Sequence, residues 1–168
     1  MKSTNTKYMS MIAIAAIIAF PAAAATTGSI AISGSVPAII ELAVTSEAVA
    51  QNLPLTQTVS DLRVATVVER SNKKAGYTVV LESSNAKARG SSSPTLRSAE
   101  TNDELPYSVK YDGADARFTG GAAIVSDVSA KTVADGVSKA VTVSFNGADY
   151  FLDESSYGDT LTFTIIAK

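Results

Sequence analysis

The side chains of this sequence best suited to chemistry are its carboxylates, and they gather late: Asp149, Asp153, Glu154 and Asp159 share one short stretch, with Asp112 and Asp115 ahead of them. Two acids at a suitable separation can serve as acid and base in glycoside hydrolysis, and several carboxylate oxygens together can bind calcium. Neither group has EF-hand spacing or a repeated calcium signature, so both read as acids on solvated loops, and no metal site is assigned. Composition closes most other routes. The 168 residues include no cysteine and no histidine, which removes the Ser-His pair, the thiolate nucleophile and the common zinc ligands. No catalytic set stands out, and the chain is expected to be neither an enzyme nor a cofactor carrier.

Binding residues are weighed the same way. Tyr77, Tyr107, Tyr111, Tyr150 and Tyr157 could stack on sugars, but at strand positions tyrosines pack sheets and place a hydroxyl at the rim. Lys73, Lys74, Lys87, Arg89 and Arg97 give the middle of the chain a basic bias without interleaved aromatics; an anionic glycan is a conceivable partner, and a solvated surface the simpler reading.

The elements that would position these residues begin with an export signal. Lys2 and Lys7 precede an apolar run from Met9 to Phe20, and Pro21 leads into Ala23-Ala24-Ala25. This has the form of a secretory signal peptide over residues 1–25, cut after Ala25; the apolar run is too short for a membrane span. The remaining 143 residues suit one domain. Lys2 and Lys7 are two of the 14 basic residues, so 12 remain against 16 acids, a net charge of −4. That balance argues against nucleic acid as a partner. An exported chain without cysteine must hold together by burial and strand pairing.

The mature chain opens with "TTGSIAISGSVPAIIEL". Ile30, Ile32, Gly34 and Val36 alternate with Ser29, Ala31, Ser33 and Ser35, the period of a strand with one apolar face. Pro37 interrupts the ladder, and Ala38 to Val44 forms a second extended run. Further strands are expected over residues 59–68 and 77–81, joined as a hairpin by the turn Ser71–Gly76, then over 105–111, 122–125, 140–145 and 160–166. The polar stretch 83–104 is long for a structureless loop and is expected to hold a short edge strand near Thr95–Arg97. No helical stripe appears outside the signal peptide. The fold class predicted is all-β, an antiparallel immunoglobulin-like sandwich.

Four pieces of the sequence carry a family resemblance: the opening stretch, the paired strands around "VATVVERSNKKAGYTVVL", the central "LPYSVKYDG" and the ending "YGDTLTFTIIAK". Together they resemble the major subunits of chaperone-usher fimbriae, closest to the class 5 (alpha) pilins of colonisation-factor type. The resemblance implies an incomplete sandwich, residues 38–168, whose open groove is filled first by a periplasmic chaperone. In the fibre, the N-terminal extension of a neighbouring identical subunit, residues 26–37, takes that place. It implies that Ile30, Ile32 and Val36 are donor side chains, with Gly34 over a shallow pocket. The groove would be edged by Ile39, Ile40 and Leu42 on one side and Leu161, Phe163 and Ile165 on the other. An outer-membrane usher, export through the periplasm to a surface fimbrium, and a host receptor for adhesion belong to the same implication. Many such pilins carry a disulfide and a C-terminal aromatic; this chain has no cysteine and ends Ile165-Ile166-Ala167-Lys168. The alternative expectation is a self-complete secreted sandwich that binds carbohydrate or matrix, with the N-terminal isoleucines in its own core.

Overall fold

Alternation of apolar and polar residues becomes a strand only where a second backbone completes the ladder, and this sorts the two extended runs at the N-terminus. The computed structural model describes residues 26–168; the signal peptide expected over residues 1–25 lies outside them. The described chain falls into an N-terminal segment ending at Ser35 and a folded unit, Val36–Lys168. Residues 26–39 belong to no strand, which corrects the expectation of a formed strand over residues 29–36: the alternation is present but the segment is in no ladder. The first strand is β1, Ile40–Ser46, paired with the long β2, Thr58–Ser71.

The chain continues through β3 (Tyr77–Ser83), a short helix α1 (Ser84–Arg89), β4 (Thr95–Ser98), β5 (Glu104–Tyr111), β6 (Ala114–Asp115), β7 (Ala122–Val128), β8 (Val137–Asn146), β9 (Tyr157–Gly158) and β10 (Leu161–Ala167). All pairings are antiparallel. One sheet has the order β1-β2-β8-β5-β4-β9, with β6 on β5, and the other the order β10-β3-β7. The fold is an all-β antiparallel sandwich of immunoglobulin-like type. The edge strand expected near Thr95 is β4. The helix α1 was not expected; Ser83 starts it by accepting a hydrogen bond from the Ala86 N–H at 3.1 Å, and Gly90 ends it in the left-handed region.

A second correction concerns β2 and β3, which do not form a hairpin but belong to different sheets. The turn between them crosses from one layer to the other. Gly76, at φ +87°, closes it so tightly against the Val128 backbone that a Cβ would lie 1.9 Å from the Val128 carbonyl oxygen. Strand register then defines two poles. Ile40 pairs with Ser71 and Ala167 with Tyr77, so β1 starts and β10 ends beside the β2–β3 turn. Ser46 pairs with Ala65 and Leu161 with Ser83, so the other ends of β1 and β10 lie toward the opposite pole. β1 and β10 therefore run antiparallel to each other.

In the absence of disulfides, the two layers are tied by a buried acid that the sequence reading passed over. Glu69 on β2 is fully buried. Its Oε1 accepts from Tyr111 OH at 2.6 Å, and its Oε2 from Tyr77 OH at 2.8 Å and Ser126 Oγ at 3.2 Å. The donors come from β5, β3 and β7, so one carboxylate gathers four strands of both sheets. Three hydroxyl donors supply what a buried charge requires. Among the described residues, no buried side-chain polar atom is left without a partner. Around this network Val67, Val79, Leu81, Leu105, Val109 and Val141 form the core.

Candidate functional site

The two edge strands share a pattern that a closed sandwich would not leave. On β3, Val79, Leu81 and Ser83 are fully buried, yet their direct partners on β10, Ile165, Phe163 and Leu161, are only half-buried. On β2, Val67, Glu69 and Ser71 are buried, while their partners on β1, Val44, Leu42 and Ile40, are half-buried or, for Val44, 47% exposed. Directly paired residues share a sheet face, so both faces are covered as far as the last strand but one and then open. Among the described residues β1 pairs only with β2 and β10 only with β3. The two strands lie beside each other without a ladder between them, leaving each with one unpaired backbone edge.

Where the end of β1 and the start of β10 face the segment from Ala50 to Leu55 lies a cleft of about 700 Å³. Its floor is the core itself, including Val64, Val143 and Phe145, and its walls include Val44, Leu161 and Phe163. Leu42 also packs against the core. Ile40 and Ile165 continue the same two rows toward the pole of the β2–β3 turn. Ile39 does not join them. It precedes β1, its N–H donates to Asn72 Oδ1 at 2.7 Å, and its carbonyl accepts from the Asn72 N–H at 3.1 Å. Its part is to fix the approach to β1. The groove residues that sequence reading missed are those of the floor. Alternation along β2 and β8 marks Val64, Val143 and Phe145 as inward-facing, but only the tertiary structure shows that one side of this core is uncovered.

The far end of the cleft is polar. Asp159, read from sequence as a solvated acid, accepts from Tyr107 OH at 2.7 Å, Ser83 Oγ at 2.5 Å and the backbone N–H groups of Asn85 and Thr160 at 3.0 and 2.8 Å. It ties the start of β10 to β3, α1 and β5. Burial and the adjacent Asp159 push the Tyr107 phenol well above its ordinary range, and burial with Glu69 does the same for Tyr77 and Tyr111. Tyr111 links the two regions, since its ring centroid lies 6.0 Å from that of Phe163 in the groove wall. Among the described residues no group of three acids is placed to hold a metal ion, and no helix is long and apolar enough to cross a membrane.

The expected donor side chains present the complementary pattern. Ile30, Ile32 and Val36 are 85%, 89% and 84% exposed, and Gly34 has no atom within 4 Å of where a Cβ would stand. An alternating row of three large aliphatic side chains on a segment that forms no strand is an unusual exposure for a soluble chain. The arrangement offers main-chain pairing and an apolar trough on one side, and an alternating apolar segment on the other. No family model matches the chain, and no curated protein matches it.

Proposed function

We propose that this protein is a structural subunit of a surface fimbria, exported through the periplasm and assembled by donor-strand exchange on a chaperone-usher pathway, with cell adhesion as its use. The observation that carries the reading is the pair of half-buried rows, Leu42 and Val44 against Leu161 and Phe163, on two neighbouring strands whose facing backbone edges are unpaired. Residues 26–36 of a second copy supply a strand of fitting length and alternation. β-strand addition gains affinity from the backbone ladder and specificity from alternate side chains. Burying Ile30, Ile32 and Val36 at about 1.5–3 kcal/mol each contributes ~5–9 kcal/mol before the ladder is counted. Until a neighbour arrives, the two open edges are an aggregation hazard, and a periplasmic chaperone that occupies the groove removes it.

The test is to export the mature chain with a candidate chaperone and run it on a denaturing gel with and without boiling. Assembled subunits give a ladder of multimers in the unboiled lane that collapses to one band on boiling. A single band in both lanes, from a chain that is stable without a chaperone, would overturn the reading. It would favour a self-complete module whose 700 Å³ cleft, within the size range of small-ligand pockets, takes a carbohydrate or other small ligand.

A further inference from the structure

We propose that consecutive copies of this chain meet pole to pole, with the loop Asp149–Glu154 of one copy, led by Phe151, seated on the Lys73–Lys74 turn of the next. The inference rests on the donor-strand reading and adds to it a second contact, formed by the folded units themselves.

The approach to β1 is short and pinned. Only Pro37, Ala38 and Ile39 separate Val36 from β1, so Val36 and Ile40 stand at most about 14 Å apart even when fully extended. Asn72 holds this stretch in place: besides its two bonds to Ile39, its Nδ2 donates to the Pro37 carbonyl at 2.8 Å. Asn72 is followed directly by Lys73 and Lys74. Wherever Val36 leaves the groove of a neighbour, the Lys73–Lys74 turn of the donating copy must therefore lie at that end of the groove.

The two ends of the groove differ in charge. At the pole of the β2–β3 turn stand Lys73, Lys74 and, in the β7–β8 loop, Lys131; among the described residues none of the three takes part in an ion pair, and Asp135 is the one acid of that loop. At the opposite pole, where β8 ends at Asn146 opposite Thr58, stand Glu100, Asp103, Asp149, Asp153 and Glu154, again without an ion pair among the described residues. A donor leaving at the first pole would press lysines on lysines and crowd the acceptor's own Pro37–Ile39. A donor leaving at the second brings lysines to acids, and it requires the donor to run parallel to β1.

The acidic pole also carries an apolar feature that nothing in its own fold uses. Phe151 is fully exposed, and Tyr150 beside it is 45% exposed. The loop is held in shape at its base, where Asp103 Oδ2 accepts from the Asp153 N–H at 2.8 Å and from Tyr157 OH at 3.2 Å. Aromatic faces flanked by carboxylates suit an ammonium group on a long aliphatic stem, and the turn of the next copy supplies two.

The proposal is tested with the full mature chain by measuring the yield of unboiled multimers at low salt. Phe151→Ser, Asp153→Lys with Glu154→Lys, and Lys73→Glu with Lys74→Glu should each lower multimer yield about tenfold at low salt. The two charge-reversed chains, mixed, should co-assemble near the wild-type level, which also shows that each still folds. Unchanged yields in the reversed chains, or no recovery on mixing, would overturn the junction while the wild-type ladder leaves the donor strand standing. Absence of any wild-type ladder would remove both.

Discussion

Ile32→Asp is expected to abolish multimer formation while leaving the folded unit, Val36–Lys168, with its melting temperature unchanged. Ile32 is the middle member of the donor row and is 89% exposed in the single chain, so its replacement removes nothing from the fold that carries it. Seated in a neighbour's groove it would lie between half-buried Leu42 and Phe163. The substitution then forfeits about 1.5–3 kcal/mol of aliphatic burial and adds the cost of placing a carboxylate where no donor waits, several kcal/mol more. A total near 5 kcal/mol weakens each junction by more than a thousandfold. The unboiled ladder should vanish and the monomer remain. Wild-type multimer yield from this variant would contradict the placement of Ile32.

A second large effect is expected at high pH. Tyr77, Tyr107 and Tyr111 are buried against Glu69 or Asp159, and each holds its proton above the ordinary phenol value of 10.0. A folded-state pKa above the unfolded one means that the unfolded chain ionises first. Their contribution is therefore complete below about pH 10 and drains away as pH rises toward the folded values. Each tyrosine that ionises only on unfolding costs about 1.4 kcal/mol per pH unit, so the three together reach ~4 kcal/mol per unit. The melting temperature should hold steady from neutrality to about pH 9 and fall steeply above 10. Tyr111→Phe should lower stability at neutral pH and make the alkaline fall shallower. A flat profile through pH 11 would show that the hydroxyls are free to ionise in the folded chain. Because Tyr111 packs on Phe163, assembly should fail over the same pH interval.

The strands were legible in the sequence because their alternation is local, and most appear within a few residues of where the residue types place them. Layer assignment was not. "ERSNKKAGYT" has the composition of a hairpin turn, and only the pairing of β2 with β1 and β8 and of β3 with β7 and β10 shows that it crosses between sheets. The strand expected over residues 29–36 was read correctly as a pattern and incorrectly as a formed element, since alternation states what a segment could pair with and not that a partner is present. Ile40, Leu42, Leu161, Phe163 and Ile165 enter as groove residues through the pilin resemblance, as does Ile39, whose backbone serves Asn72. Asp159 stands out in the sequence only as one of a group of loop acids, and the burial of Glu69 left no sequence signal at all. A lone acid in a strand looks like surface until the hydroxyls converging on it come from remote parts of the chain.

The central claim is that the unpaired edges of β1 and β10 part to accept one strand and that residues 26–36 fit between them. The most direct measurement moves "TTGSIAISGSV" from the N-terminus to a short turn after Lys168. Lys168 follows the end of β10 at the pole of the β2–β3 turn, so a segment attached there enters the groove of its own chain antiparallel to β10 and parallel to β1. At ~5–9 kcal/mol for the three side chains and roughly 3 °C per kcal/mol for a domain of this size, the account predicts a monomer without a ladder. Its melting temperature should lie ~15–25 °C above that of the Ile32→Asp chain. A transplanted chain that melts with the Ile32→Asp chain would contradict the account, because a matching strand delivered to the groove would then have found no place in it.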